Sequence, residues 1–531
     1  MLTVGLIVIF LTLWLAYRKR CISVLKDQGI PGPEPNVLFG NLLEIVTKNP
    51  LVCHKEWFKK YGKVVGYYFG MQPVVLVSDV ELIKKIQVSD FHKFINRPNL
   101  FGGGPERKDK PVKRTEGFSQ QLIALRDQKW KDIRSIITPS FTASKMKHMV
   151  PIMDGAIDSL LANIEKKKGQ SMDIYSMFQG LTMDVIGRTA FGIHADAQND
   201  PEDPFLKFTR MLFSGISIRN PISFLAICFR SFHLFWSYLG RLIVKYKYKG
   251  ISPVGELILS VKGVIATRRA NKENRRPDLL QLMMDSEIDD SKVTSDDLTA
   301  DADNTTEKAA GSTTGKLLRK MTDADILDNS LLFFLAGYET TSTALAFTAH
   351  FLIKYPDIQE KIRIEIQQIC ESEDTLDYQS VSKLQYLEQV LNESMRLYPP
   401  VPLFVSRGCS EDVKIGDVHF KKGTDVQVAV YQIHRDPELW GSDAEEFNPE
   451  RFSPQNKSKL HPMAFQAFGQ GPRNCVGMRF AYLEAKLALA RLLSKYRLVA
   501  CAETEKDISL HITFSSMKPK KGVWVKVEAI D

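Results

Sequence analysis

Near the carboxyl end lies a cysteine whose neighbours suit it to bind a metalloporphyrin through sulfur. Residues 468–477 read FGQGPRNCVG, and a helix-like apolar run follows at once. A thiolate that is the only protein ligand of a haem iron needs a loop that approaches a flat ring closely, and Gly471 and Gly477 permit this. A following helix directs backbone N–H groups at the sulfur and favours the thiolate. A lone cysteine is usually a buried apolar side chain, but the whole pattern predicts that Cys475 binds haem iron.

Two other side chains of the same stretch have types that fit a porphyrin. Phe468 can pack beneath the ring, because an aromatic side chain offers a flat apolar face. Arg473 can pair with a propionate, since guanidinium groups bind carboxylates through parallel hydrogen bonds. We therefore predict that both residues contact the cofactor.

A pair of charged residues further upstream is spaced for an ion pair within a helix. Glu393 and Arg396 are three residues apart, which puts them on one helical face. Such pairs are usually solvated and contribute about 0 to 1 kcal/mol. Here Leu391, Met395 and Leu397 surround them, so we predict a buried pair whose disruption costs roughly 3 to 5 kcal/mol. The predicted role is structural, with no part in a catalytic step.

Together these stretches resemble the signature sequences of the cytochrome P-450 superfamily, a family of haem-thiolate monooxygenases. The resemblance implies that Trp130 and Arg134, in the stretch WKDIR, hold a haem propionate. It also implies that Arg451, in the stretch FNPERF, joins the buried ion pair described above. The motifs run in the expected order from residue 31 to near the end, so the resemblance covers essentially the whole chain.

The segment AGYETT, at residues 336–341, resembles the oxygen-activation motif of the same family. Its small residues, among them Gly337, leave room for dioxygen over the iron. The Thr340 hydroxyl can donate a proton during oxygen activation, and Glu339 would relay protons with water. The alternative is that the threonine donates to a backbone carbonyl and merely bends the helix. We predict catalytic roles for both residues.

This motif lies in a long apolar segment whose hydropathy alone would indicate a membrane span. Residues 331–353 carry one formal charge, that of Glu339. A bilayer would penalise that charge by roughly 2.5 kcal/mol or more, and a span would separate Cys475 from Trp130. We therefore predict a buried helix, from about residue 323 to residue 354, that crosses a globular core.

Most of the remaining chain has the periodicity of helices, and only short segments resemble strands. Predicted helices include residues 357–371, 384–397 and 477–496. Predicted strands are residues 64–68, 74–77, 413–415 and 426–430. Residues 102–117 and 289–316 are predicted surface insertions. The expected fold is mainly α with a minor β-sheet region, and the resemblance implies the cytochrome P-450 fold as a single large domain.

The amino terminus is a candidate membrane anchor. Residues 2–16 are apolar apart from two threonines, and a basic cluster at residues 18–20 follows them. Charges after the apolar run favour an uncleaved anchor over a cleaved signal peptide, and by the positive-inside rule they stay cytosolic. We predict a transmembrane anchor at 1–20, a proline-rich hinge at 21–35 and a catalytic domain at 36–531. The expected location is the endoplasmic reticulum membrane, with a lumenal amino terminus and a cytosolic catalytic domain.

Composition and charge argue against two classes of protein. The seven cysteines are an odd number without close pairs, which argues against a disulfide framework. The formal charge of +9 favours acidic protein partners or anionic lipid. The sequence has no basic stripe with interleaved aromatic residues, so we predict no nucleic-acid partner.

Aromatic residues are dense between Phe205 and Tyr238, in a segment that proline and charged residues interrupt. Such a segment suits an apolar lid that dips into a membrane interface and admits lipophilic substrates from the bilayer. This lid, the 336–341 motif and the carboxyl end resemble the liver drug- and steroid-oxidising microsomal enzymes and thromboxane synthase. In that branch, Arg407 and Arg97 fall where further propionate partners often lie.

Electrons must come from a separate protein, because the sequence has neither a glycine-rich nucleotide fingerprint after a strand nor a flavin domain after the cysteine helix. We predict haem b as the cofactor, NADPH-cytochrome reductase as the electron donor and cytochrome b5 as a second donor. The predicted basic face for the donor consists of Lys129, Lys131, Lys145, Arg479 and Lys486. The alternative is a solvated lysine face with no partner.

The predicted function is NADPH-dependent monooxygenation of lipophilic compounds such as xenobiotics, steroids or fatty acids. Two alternatives stay open. The first is a reductase-independent isomerase of the thromboxane-synthase type, although that synthase lacks the motif threonine and Thr340 is present here. The second is a non-enzymatic haem carrier or gas sensor.

Overall fold

The computed structural model describes most of the chain. The described residues are 2–98, 117–193, 196–200, 202–215, 219–248, 252–271, 276, 278–286, 320–372, 376–513 and 516–530. The two predicted insertions, 102–117 and 289–316, lie outside these residues except for Gly117.

Helices make up the larger part of the described chain. They are, in chain order, α1 (Leu2–Cys21), α2 (Val24–Asp27), α3 (Leu42–Lys48), α4 (Pro50–Tyr61), α5 (Val80–Lys84), α6 (Asp127–Ile137), α7 (Ala143–Glu165), α8 (Ile174–Phe191), α9 (Pro204–Gly215), α10 (Pro221–Cys228), α11 (His233–Lys247), α12 (Pro253–Ala270), α13 (Leu279–Asp285), α14 (Asp323–Lys354), α15 (Pro356–Ser372), α16 (Tyr378–Lys383), α17 (Gln385–Leu397), α18 (Val430–Ile433), α19 (Pro437–Trp440), α20 (Pro454–Lys457) and α21 (Met478–Lys495). A π-helical turn, Lys85–Ser89, extends α5, and short 3-10 turns occur at Phe91–Lys93, Thr138–Phe141, Arg230–Phe232 and Pro449–Phe452.

The strands are short and form small sheets. They are β1 (Val64–Phe69), β2 (Gln72–Val77), β3 (Met172–Asp173), β4 (Ser406–Gly408), β5 (Val413–Ile415), β6 (Val418–Phe420), β7 (Asp425–Val428), β8 (Tyr496–Val499), β9 (Leu510–Ile512), β10 (Met517–Pro519) and β11 (Trp524–Ala529). The largest sheet has the order β1-β2-β7-β4, in which β2 and β7 are parallel. A second sheet has the order β3-β11-β8, and β5–β6 and β9–β10 form two-stranded ladders. The predicted mainly α fold with a minor β-sheet region is confirmed.

Helix α14 crosses the middle of the core. A capping box fixes its first turn, because Thr322 and Asp325 each accept the other's backbone N–H group. Most of its side chains between Ile326 and Leu352 are buried, and the helix packs against α8, α12, α17 and α21. The prediction of a buried helix at this position is confirmed.

The first helix lies where the sequence predicts a membrane anchor. Residues Leu2–Cys21 form a helix, α1, but no helix in the described part of the chain is both long enough and apolar enough to cross a membrane. The prediction that residues 1–20 form a transmembrane anchor stays a prediction.

Candidate functional site

The loop that carries Cys475 is a closed turn before α21. The Cys475 N–H donates to the Phe468 carbonyl at 2.9 Å. Within the turn, the Asn474 N–H donates to the Gly471 carbonyl at 3.0 Å. Gly477 is the N-cap of α21, and its backbone N–H favours the ionised form of the Cys475 sulfur. The fold therefore presents the sulfur at the amino end of a helix, where a negative charge is favoured.

The Cys475 side chain is accessible and yet lies within the molecule. The residue is exposed, but burial raises the pKa of its thiol. The Gly477 N–H and then the Arg134 and Arg97 guanidinium groups oppose that shift. The sulfur is therefore accessible while protein groups surround it. On α14, Ala336 is likewise exposed, between the half-buried Leu335 and Gly337.

Packing within the protein explains why glycine is present at two of the predicted site positions. A Cβ at Gly471 would lie 2.0 Å from the Gln87 carbonyl oxygen, so close backbone packing requires glycine there. A Cβ at Gly337 would lie 3.2 Å from Ile186, so the contact between α14 and α8 favours glycine. At Gly477 the nearest atom to an added Cβ is 4.0 Å away. The predicted contacts of these glycines with dioxygen or a porphyrin stay predictions.

Four arginines, here called the arginine cluster, lie beside this loop: Arg97, Arg134, Arg407 and Arg473. Arg97 donates to the Phe404 carbonyl at 3.2 Å, and its guanidinium lies 4.4 Å from the centroid of the Phe404 ring. Arg473 donates to the Leu125 carbonyl at 2.7 Å. Its guanidinium lies 4.2 Å from the centroid of the Trp130 ring. Trp130 therefore acts on the cluster by supporting Arg473.

The other two members of the arginine cluster come from α6 and β4. Arg134, on α6, donates to both the carbonyl and the Oδ1 of Asn474, at 2.9 and 2.7 Å. Arg407, on β4, donates to the Ser406 carbonyl at 2.8 Å and is 1% exposed. Segments that are distant in sequence thus bring their cations to the loop of Cys475.

The arginine cluster keeps donors that the protein itself does not use. Among the described residues, the buried nitrogens without a hydrogen-bond partner include Nε of Arg97, Nε of Arg407, and Nε and Nη1 of Arg473. Burial, and then neighbouring arginines, lower the pKa of Arg407 far below its usual value and that of Arg473 to about 9. Buried like charges are costly unless an anion neutralises them. Two propionate carboxylates are such anions, so this donor set fits a haem.

The predicted aromatic residues of the site are held in fixed packing. The Phe468 ring lies 5.1 Å from that of Tyr482 on α21, measured between centroids. Tyr482 donates to Asn392 Oδ1 at 2.5 Å, which anchors the pair to α17. Trp130 is buried, with its ring 5.8 Å from that of Phe91. Both predicted aromatics thus lie in the region of the cysteine loop and the arginine cluster.

The motif on α14 has partners within the protein. The Thr340 hydroxyl donates to the Ala336 carbonyl at 2.8 Å, which is the back-bonding geometry of the alternative interpretation. The hydroxyl oxygen can still accept a hydrogen bond. Glu339 is 2% exposed, and its Oε1 lies 2.9 Å from Nζ of Lys518. The catalytic roles of Thr340 and Glu339 stay predictions.

Glu393, Arg396 and Arg451 meet in a second buried group, here called the structural cluster. Arg396 Nε lies 2.7 Å from Glu393 Oε2, and both side chains are 0% exposed. Arg451 Nε lies 3.4 Å from Glu393 Oε1. Nη1 of Arg396 donates to the carbonyls of His434 and Ala444, at 2.5 and 2.6 Å. The central ion pair is therefore compensated by the protein's own groups.

Three residues that bind parts of these groups were not found from the sequence. Asn474 orients Arg134, and its position next to Cys475 was a usable signal. Lys518 pairs with Glu339 from a strand far along the chain. His434 joins the structural cluster to the segment before the cysteine loop, because its Nε2 accepts the Gln466 N–H at 2.8 Å. No spacing rule points to the last two.

Comparisons with known proteins cover nearly the whole chain. The family model described as Cytochrome P450 matches residues 30–527. Cytochrome P450 3A7 of Homo sapiens is 34% identical over 536 residues, which cover 100% of this chain and 96% of that protein. Cytochrome P450 3A6 of Oryctolagus cuniculus is 33% identical over 535 residues, covering 98% and 96%. Cytochrome P450 3A29 of Sus scrofa is 34% identical over 525 residues, covering 97% and 94%.

Proposed function

Because the chain belongs to the cytochrome P450 family and is a monooxygenase, we propose that it inserts one oxygen atom of O2 into lipophilic compounds. The proposed substrate classes are xenobiotics, steroids and fatty acids, and the electrons come from NADPH through a reductase. Family membership implies a haem iron bound by a cysteine thiolate. The observation that carries the proposal for this chain is the set of unpartnered arginine nitrogens beside Cys475.

In this proposal Cys475 would bind the haem iron, and the arginine cluster would bind the propionates. The haem, when bound, supplies the chemistry of oxygen activation. The protein supplies orientation, because Asn474 holds Arg134 by two hydrogen bonds and Trp130 supports Arg473. Guanidinium groups that are held in place before binding lose little conformational entropy when the carboxylates arrive.

For proton delivery we propose Thr340, assisted by Glu339. Substituting Thr340→Ala should uncouple the enzyme, so that NADPH is consumed with less product formed. Thr348→Ala is the matched control, because the Thr348 hydroxyl makes the same back-bond, to the Ala344 carbonyl at 2.8 Å, on the same helix. Unchanged coupling in Thr340→Ala, or an equal loss in Thr348→Ala, would count against the proposed role.

The electron donor we propose is NADPH-cytochrome reductase, with cytochrome b5 as a second donor. The basic face proposed to bind the electron donor has fewer unpaired cations than the sequence suggested. Lys129 and Lys486 already pair with carboxylates at 2.8 and 3.1 Å, and Lys486 is buried. Lys131 on α6 and Arg479 on α21 are exposed, so they are the proposed contacts for an acidic partner.

We propose attachment to the endoplasmic reticulum membrane through an apolar surface around α1, with the catalytic domain in the cytosol. Exposed apolar side chains of α1, α10 and α11 include Leu6, Ile7, Phe10, Leu13, Ile222, Leu225, Leu234 and Phe235. Arg18 of α1 donates to the Cys228 carbonyl of α10 at 3.3 Å, which ties the two parts together. Large exposed apolar patches are typical of membrane contact.

Flotation with lipid vesicles tests this attachment. The wild type should float with the vesicles, and the double variant Leu234→Asp/Phe235→Asp should bind more weakly. Equal binding of the variant and the wild type would contradict the proposed surface.

Reconstitution with reductase, NADPH and O2 tests the proposed reaction. The expected result is that labelled oxygen from O2 enters a lipophilic substrate and that NADPH is consumed. A reductase-independent isomerase would instead convert an endoperoxide without NADPH. A panel of lipophilic ligands, screened for a change of haem spin state, would select the substrates to assay. Failure of every spin-shifting ligand to be oxidised would contradict the proposal.

A further inference from the structure

A buried ion pair joins the middle of α14 to β10. Glu339 lies within the apolar helix, and Lys518 reaches it from a strand near the carboxyl end. Lys518 Nζ is 2.9 Å from Glu339 Oε1, with side chains 17% and 3% exposed. Among the described residues, neither carboxylate oxygen of Glu339 has a hydrogen-bond donor in suitable geometry. The lysine ammonium is therefore the contact that compensates the carboxylate.

The lysine is held from several sides. Lys518 pairs with His511 across the β9–β10 ladder, and the neighbouring Met517 N–H donates to the Pro400 carbonyl at 2.9 Å. On the other side, Lys518 Nζ lies 5.9 Å from the centroid of the Phe213 ring on α9. A long, flexible side chain that is restrained in this way keeps its charge at one place.

The position of Glu339 gives the pair a consequence for the site. Glu339 directly precedes Thr340, and Ala336, which accepts the Thr340 hydrogen bond, is exposed in the same turn. A carboxylate that is buried without a counter-charge either takes up a proton or moves toward solvent. In both cases an ionised carboxylate no longer lies beside Thr340.

We propose that Lys518 is a positioning residue for proton delivery, which holds Glu339 ionised and fixed next to Thr340. Lys518 acts through the Glu339 carboxylate that it contacts. This inference rests on the proposed monooxygenase function. It adds that the proton path of this chain depends on a residue of the β9–β10 ladder.

Lys518→Gln tests the proposal in the reconstituted enzyme. Product formed per NADPH should fall, on the order of tenfold, which is less than the roughly 100-fold that loss of a proton-transferring group costs. The solvent deuterium isotope effect on product formation should rise, because proton transfer becomes rate-limiting. Lys518→Arg should restore both values. Lys520→Gln removes an equal charge from an exposed position two residues away and should change neither.

The ion pair is also testable in the haem-free protein, by thermal unfolding. Lys518→Gln should lower Tm, and the double variant Lys518→Gln/Glu339→Gln should recover part of the loss, since the uncompensated charge is gone. If the changes in Tm of the two single variants simply add up in the double variant, the two side chains do not interact, and the ion pair is overturned.

The two kinds of failure are distinguishable. If the wild type oxidises no substrate with NADPH, the proposed function fails, whereas the unfolding experiment still reports on the pair. If the wild type is active and Lys518→Gln keeps the coupling ratio and the isotope effect of the wild type, the positioning role is overturned.

Discussion

Two groups of buried arginines in this protein differ in what neutralises them. In the structural cluster, Glu393 supplies a carboxylate within 2.7 Å of Arg396, and backbone carbonyls take further donors. In the arginine cluster beside Cys475, the guanidinium groups bind carbonyls and aromatic rings, and several nitrogens have no partner in the described chain. The structural cluster contains its own carboxylate, that of Glu393, whereas the described contacts of the arginine cluster include no carboxylate, so that cluster is open to an external anion.

This difference separates a structural from a binding role without reference to relatives. A buried charge persists only if something compensates it. Where the chain supplies the opposite charge, the expected role is stability. Where it does not, as at Arg407 and Arg473, the structure calls for a ligand that carries the missing charge.

Breaking the structural cluster should have the largest effect. Arg396→Leu leaves the fully buried Glu393 carboxylate without its main counter-charge, so the free energy of unfolding should fall by about 3 to 5 kcal/mol. Chemical denaturation of the purified protein measures this. Arg363→Leu is the control, because Arg363 pairs at the same spacing with Glu360, which is 47% exposed. That change should cost about 0 to 1 kcal/mol, and equal losses would show that burial does not distinguish the pairs.

Removing one arginine from the arginine cluster should weaken cofactor binding more than it lowers the stability of the fold. Arg473→Leu removes two unpartnered nitrogens, so haem affinity should fall roughly tenfold or more, as expected when a charged hydrogen bond of about 1.5 to 3 kcal/mol is lost. Titration of the haem-free protein with hemin measures the affinity. The haem-free protein should lose little stability, because a repulsive charge disappears. Unchanged haem affinity together with strong destabilisation would reverse the assignment of the two clusters.

The link between the cysteine loop segment and the structural cluster should respond to pH. Burial lowers the pKa of His434 from 6.5 to about 3. The unfolded chain therefore binds a proton that the folded chain does not, and the contribution of neutral His434 is lost as pH falls from about 6.5 toward 3. In this window the free energy of unfolding should fall by up to about 1.4 kcal/mol per pH unit. The free energy of unfolding is measured against pH for the wild type and for His434→Gln. Equal slopes of the two proteins between pH 6.5 and 3 would contradict this prediction.

The smallest expected effect lies on the outer surface. Lys131→Glu/Arg479→Glu should raise the reductase concentration needed for half-maximal activity a few-fold at low salt, and less at high salt, because exposed charges are screened. Lys59→Glu, at an exposed position of α4, is the control. An equal effect of the control would indicate a general charge effect and no defined face.

Local spacing explains which features were predictable from the sequence. The ion pair of Glu393 and Arg396 follows from a three-residue spacing in an apolar helix, and the burial of α14 follows from a charge in its middle. The partner of Glu339 did not follow, because Lys518 is brought near by β10 and has no periodic relation to α14. The packing requirement for glycine at position 471 could not be predicted either, because the Gln87 carbonyl that approaches it lies in a turn distant in sequence.

The reduced carbon monoxide difference spectrum tests the central claim most directly. The wild type, reconstituted with hemin, should show the strongly red-shifted Soret band of a thiolate-ligated haem, and Cys475→Ala should lose it. Cys409→Ala removes a cysteine that is buried elsewhere and should keep the band. A red-shifted band that survives in Cys475→Ala would contradict the assignment of Cys475 as the iron ligand.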